Sequence, residues 1–121
     1  MIVDVLIVSS IYDFSTDLVV QELENRGVNY FRLNKENFGT YRSTIDIENR
    51  LLEVVANGES YKVTSATKSI YYRQPVFLRN TPSNSLTIDE QLSRSQWMGF
   101  LRSLVIFEKA AWLNRPEATY L

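Results

Sequence analysis

A chain of 121 residues that is 45% hydrophobic holds one domain of ordinary size, burying roughly two-thirds of its unfolded surface around a single core. Its 13 basic and 14 acidic residues leave a net charge of −1, with no basic footprint for nucleic-acid phosphates. The absence of both cysteine and histidine excludes disulfides, thiolate nucleophiles and Ser-His-Asp or Cys-His triads, and fits a reducing cytoplasm.

Val3 to Ser9 is a nearly continuous apolar run, the pattern of a strand buried on both faces and central in an α/β sheet. Asp4 interrupts it, no basic segment precedes it, and it is far too short for a signal sequence or a spanning helix. A soluble, cytoplasmic protein with no membrane partner is therefore predicted. After the loop Ser10-Ile11-Tyr12-Asp13-Phe14, the spacing predicts a helix over 16–26. Ser15, Thr16 and Asp17 are its cap candidates, Leu18, Val19 and Leu23 its apolar face, and Gly27 its stop. Val28 to Leu33 alternates as a second strand, giving a Rossmann-like β-α-β start.

The middle reads as a β-meander. Ser43 to Glu48 and Leu51 to Val55 flank a turn at Asn49-Arg50, and Asn57-Gly58 is a two-residue hairpin signal before Ser60 to Thr64. Ser69 to Arg73 is a further strand that Pro75 ends, since proline has no amide hydrogen to donate. Residues 74–86 form a surface loop of a length more often functional than connecting. Thr87 and Glu90 make a capping box for a long C-terminal helix whose apolar positions run from Ile88 to Phe107, about six turns. The predicted fold is α/β: a small open mixed sheet with helices on one or both faces.

The four glycines, at 27, 39, 58 and 99, are too scattered for a loop that wraps a pyrophosphate, so neither the Rossmann nor the P-loop fingerprint is present. This argues against a small flavodoxin-like nucleotide enzyme. Arg73 is placed at the carboxyl end of its strand, where ligands of open α/β sheets bind, and a guanidinium there can pair bidentately with a carboxylate. Ser9, Ser10 and Asn34 close the first two strands at the same rim. Arg32 and Arg79 are weaker candidates, the first for its strand face and the second for its loop position. Plain alternatives stand beside each: a strand-end salt bridge for Arg73 and ordinary turn chemistry for the serines and Asn34. Asp13 with Asp17, and Asp89 with Glu90, suit helix N-terminal charge better than acid-base catalysis. Trp97 and Trp112 read as core, and Tyr71-Tyr72 as sheet packing. No catalytic and no metal-ligating residue is assigned.

Several motifs in order carry a resemblance. They are Ile7-Val8-Ser9-Ser10, Asn29 through Asn34, Tyr71-Tyr72-Arg73-Gln74-Pro75, Gln96-Trp97, and Trp112-Leu113-Asn114 with the Asn-x-Pro-x-Ala pattern at Asn114, Pro116 and Ala118. Over essentially the whole chain, this order resembles the N-terminal pre-ATP-grasp domain of ATP-grasp ligases, and among them the peptide maturases that make microviridin-like graspetides. The resemblance implies one domain over 1–121, with 112–121 a connector to an ATP-grasp domain outside this chain. It further implies a parent ligase that uses ATP and magnesium, bound by later domains, to phosphorylate a carboxylate of a precursor peptide. A hydroxyl or amine then attacks, giving an ester or amide crosslink. This chain alone is not expected to catalyse, and Arg73 is expected to steady an acidic peptide side chain or the developing phosphate. The alternative is a free-standing α/β protein-interaction or peptide-binding module. The long helix offers more apolar surface than one sheet face covers, which allows a homodimer.

Overall fold

The computed structural model describes residues 1–73, 88–107 and 109–113. In it the chain forms β1 (Val5–Ser9), α1 (Phe14–Asn25), β2 (Tyr30–Asn34), a 3-10 segment (Lys35–Thr40), β3 (Arg42–Asp46), β4 (Leu51–Ala56), β5 (Glu59–Val63), β6 (Ser69–Tyr72), α2 (Ile88–Ser103), a 3-10 turn (Leu104–Ile106) and β7 (Ala111–Leu113).

The class is α/β, as expected, but parallel and antiparallel strands divide into two sheets rather than mixing in one. Four strands in the order β2-β1-β6-β7 pair in parallel, and β3-β4-β5 form an antiparallel meander. The two are tied at one point, where Ile2 bridges to Lys62. β1 is interior, as its apolar run requires: Leu6, Ile7 and Val8 are fully buried.

Alternation along β1 sends its side chains to two different layers. Leu6 and Val8 join Phe31, Leu33, Ile70 and Tyr72 in a core shared with Leu52, Val54 and Val63 of the meander and with Trp97, Leu101 and Leu104. The opposite face, carrying Val5, Ile7 and Ser9, lies under α1, where Val19 and Leu23 adjoin Val5 and Tyr71. Helix α1 thus covers one side of the parallel sheet, and α2 with the meander covers the other.

Three expectations shift. Helix α1 begins two residues earlier than predicted, at Phe14, because Asp13 is the N-cap: its carboxylate accepts from Thr16 N at 3.2 Å. Thr16 is then the buried residue of the helix, while Leu18, assigned to the apolar face, is 54% exposed. The long C-terminal helix is replaced by the 16 residues of α2, a tightened 3-10 turn and a strand. Ser103 Oγ donates back to Phe100 O at 2.6 Å, and the β-branched Val105-Ile106 that follows favours helix poorly. Trp112 Nε1 donates to Phe107 O at 2.8 Å, which anchors the chain as it enters β7. Residues 111–113 therefore belong to the sheet, and the rest of the expected connector lies outside the described residues. So do the 74–86 loop and Thr87 of the capping box.

The hairpin expected at Asn57-Gly58 is present, with φ of 53° and 79°, as a type I′ turn requires. Trp97 is fully buried against Phe38 and Phe100, at ring-centroid distances of 4.8 and 6.0 Å. Among the described residues no helix is long and apolar enough to cross a membrane.

Candidate functional site

The chain leaves β1 toward β2 on one side, by way of α1, and leaves β6 toward β7 on the other. Between the carboxyl ends of β1 and β6 the strand order therefore reverses direction, which opens a crevice in a parallel sheet. Ser9 and Ser10 follow from β1 and Arg73 from β6. Arg73 N donates to Val8 O at 2.9 Å, so its backbone continues the ladder by one bond and its side chain starts at the rim.

Arg73 Nε donates to Asp13 Oδ2 at 2.9 Å. The same carboxylate caps α1 through Thr16 N and accepts from Ser9 Oγ at 3.3 Å, while Ser9 Oγ and Thr16 Oγ1 share a buried hydrogen bond of 2.9 Å. Asp13 is mostly buried and Arg73 is 44% exposed. Burial alone would raise the Asp13 carboxyl, but hydrogen bonds from Arg73 and Thr16 outweigh it and hold its pKa below the ordinary value; the same contact raises that of Arg73. Both groups are therefore charged at neutral pH.

Arg32 sits 16% exposed beside this pair and is consumed by the framework. It reaches Asp17 Oδ1, Asn34 Oδ1 at 2.9 Å and Ser10 O at 2.6 Å. Asn34 is thereby occupied as well. Ser10 Oγ donates to Glu36 Oε2 at 2.6 Å, and Ile11 N donates to Glu36 Oε1 at 2.8 Å. Burial pushes the Glu36 carboxyl up, yet these two donors more than offset it and its pKa is lowered.

The structure thus gathers Ser9, Ser10, Arg32, Asn34 and Arg73 at one rim, and adds two carboxylates. Asp13 was read from the sequence as helix-end charge, which it is, but its pairing with Arg73 across sixty residues leaves no local signal. Glu36 had no signal either, because its role depends on the 3-10 segment folding back to the β1 loop. Arg79 lies outside the described residues. What remains open is one edge of Arg73: Nε is taken, while among the described residues the two Nη nitrogens have no hydrogen-bond partner. Such an edge suits a carboxylate or phosphate oxygen pair approaching end-on.

Among the described residues, the helix N-terminus at the rim is already filled. In a β-α unit the phosphate site is the helix N-terminus, and here the carboxylate of Asp13 already occupies it, with Asp17 in the first turn.

No protein-family model matches the sequence, and no curated protein matches it. Solved structures do. The macrocyclase MdnC of Microcystis aeruginosa MRC, bound with precursor peptide MdnA, superposes with a TM-score of 0.60 at 20% identity over 95% of this chain and 38% of its own. A RiPP-associated ATP-grasp ligase of Chryseobacterium gregarium, in complex with ADP and a leader and core peptide, gives 0.60 at 17% over 93% and 35%. The ATP-grasp ligase PsnB with a minimal precursor gives 0.67 at 17% over 98% and 39%. This chain has the fold of one part of the RiPP ATP-grasp ligases. It spans less than two-fifths of the length of these ligases. At such identities the likeness carries the fold, and the roles of Arg73 and Asp13 rest on this chain's own geometry.

Proposed function

We propose that this chain forms one wall of the peptide cleft in an ATP-dependent ligase that crosslinks a ribosomal precursor peptide of the microviridin-like graspetide kind. In that reaction a side-chain carboxylate of the precursor is converted to an acyl phosphate. A Ser or Thr hydroxyl or a Lys amine of the same peptide attacks the acyl carbon, forming an ester or amide and releasing phosphate. ATP and magnesium belong to the part of the ligase beyond this chain, consistent with a rim whose helix N-terminus is filled by Asp13. What this chain supplies is position: Arg73, fixed through Nε, turns its two Nη groups to an acidic side chain of the peptide.

The observation that carries this reading is the half-exposed, Asp13-braced Arg73 at the strand-order reversal, in a fold whose solved neighbours hold precursor, leader or core peptides. The test is turnover of the precursor by the complete ligase, followed by mass spectrometry as loss of one water per crosslink. Hydrogen bonds to charged groups contribute about 1.5–3 kcal/mol, so Arg73→Ala should lower kcat/KM roughly 10- to 100-fold with little change in melting temperature. Unchanged crosslinking overturns the reading.

A second reading, an interaction module, is favoured by one feature. Tyr12, Phe14 and Leu18 are 83%, 71% and 54% exposed beside the rim, an apolar group of the kind that marks protein contacts. In the ligase reading this group meets the rest of the enzyme.

A further inference from the structure

The two edges of the antiparallel sheet are treated differently. The outer edge of β5 is covered by the first residues of the chain: Val3 N donates to Lys62 O at 3.0 Å and Lys62 N to Met1 O at 2.8 Å. The outer edge of β3 pairs with no strand among the described residues. Its five residues, Arg42-Ser43-Thr44-Ile45-Asp46, pair with β4 in unbroken register and contain no proline or bulge, two of the devices that close an edge to strand addition; its charged residues, Arg42 and Asp46, stand at its two ends.

Beside the start of that edge lies an open groove of roughly 670 Å³, within the range of about 300–1,000 Å³ common for ligand sites. Lys35, Glu36, Phe38, Tyr41, Arg42 and Gln96 line it. Phe38 is held by Trp97 and by Phe100, at 4.8 and 5.1 Å between ring centroids, and Tyr41 by Phe31 at 5.7 Å. The aromatic floor is thus preformed. Glu36 spends its carboxylate on Ser10 and Ile11. Arg42 is exposed, forms no ion pair among the described residues, and faces Val55 across the strand pair. The groove therefore offers a guanidinium with no ion pair among the described residues, an apolar floor, and a row of main-chain groups at one side.

We propose that this groove takes an extended, carboxylate-bearing polypeptide segment that adds as a strand to the outer edge of β3. Main-chain hydrogen bonds to β3 hold the segment extended, and side chains of alternate residues point to opposite faces. One set lies over Phe38 and Tyr41, and a carboxylate meets Arg42. This site is separate from Arg73 and does not depend on the ligase reading.

The test is a titration of the 121-residue chain with a fluorescein-labelled synthetic octapeptide alternating Asp with Val or Phe. It is repeated with Lys in place of every Asp, and with the acidic peptide N-methylated at alternate backbone nitrogens. We expect the acidic peptide to bind at least tenfold more tightly than the lysine peptide, and N-methylation in one of the two alternating registers to weaken it at least tenfold. Arg42→Glu, an exposed position, should weaken binding at least tenfold with an unchanged circular dichroism spectrum, and Arg42→Gln should fall between. Equal affinity for acidic and basic peptides, no effect of N-methylation in either register, or no effect of Arg42→Glu each overturns the proposal. Loss of acidic-peptide binding on Arg42→Glu with crosslinking by the complete ligase unchanged would leave both readings standing as separate sites, whereas failure of the peptide titration removes this one alone.

Discussion

Arg73 and Asp13 stand sixty positions apart in the chain, and Nε of the first donates to Oδ2 of the second at 2.9 Å. This contact joins the end of β6 to the start of α1 across the crevice and fixes the direction of the guanidinium. Because the arginine is 44% exposed, solvent screens the pair and its contribution to stability is small, about 0.2–1 kcal/mol. Asp13 carries more, since it also caps the helix.

The two residues should therefore separate by mutation. Arg73→Ala is expected to cost less than about 1 kcal/mol in chemical denaturation. Asp13→Ala should cost about 1–2 kcal/mol through loss of the cap, and Asp13→Asn, which keeps a capping oxygen but not the charge, should lie between. A cost for Arg73→Ala equal to that of Asp13→Ala would show the arginine to be a structural residue.

Acid should weaken the rim. Asp13 and Glu36 both have folded-state pKa values below their ordinary ones, so between those values the unfolded chain binds more protons than the folded one. The stabilisation is complete above the unfolded carboxylate range of about 4 and is lost as pH falls through the folded values. The melting temperature of Glu36→Gln should then depend less steeply on pH below about 4.5 than that of the parent chain, with the two curves converging in acid. Parallel curves would assign the acid sensitivity to other carboxylates.

How much of this was legible in the sequence follows from the range of each interaction. β1, α1, the meander and the Asn57-Gly58 turn are encoded by alternation, run length and turn chemistry, signals confined to a few neighbouring residues. The candidates Ser9, Ser10, Asn34 and Arg73 were placed at one rim by the single inference that parallel strands end together. The division into two sheets was not legible, because alternation does not say which strand a strand will meet. Nor was the engagement of Arg32: its four acceptors come from α1, the β1 loop and β2 itself, brought together only by folding. The end of α2 is not legible either, because the apolar pattern continues through Leu104 to Phe107 while the backbone tightens beneath it.

The buried hydroxyl pair gives a test by double substitution. Ser9 Oγ and Thr16 Oγ1 lie 2.9 Å apart, both residues fully buried. Thr16→Val or Ser9→Ala alone breaks this bond and leaves the remaining hydroxyl only the Asp13 carboxylate beside it, costing about 1–3 kcal/mol. The double variant removes both polar groups and should be less destabilised than the sum by at least about 0.5 kcal/mol. Strict additivity in urea denaturation would mean that the hydroxyls are independent.

Two glycines should respond to the same substitution with opposite sign. Neither Gly58 nor Gly99 has any atom within 4 Å of the site where a Cβ would stand, so sterics with neighbours are equal and only the backbone differs. Gly58 holds φ at 79° in the β4-β5 turn, a conformation costing an L-residue roughly 1–2 kcal/mol. Gly99 lies inside α2, exposed and without a positive φ, where alanine removes the excess backbone entropy that glycine loses on folding. Gly58→Ala is therefore expected to lower the melting temperature, and Gly99→Ala to raise stability by about 0.5–1 kcal/mol. Thermal denaturation of the two single variants decides it: a gain at Gly58 would mean that the turn is not formed as described, and a loss at Gly99 would mean that its open side meets another surface in the assembled protein.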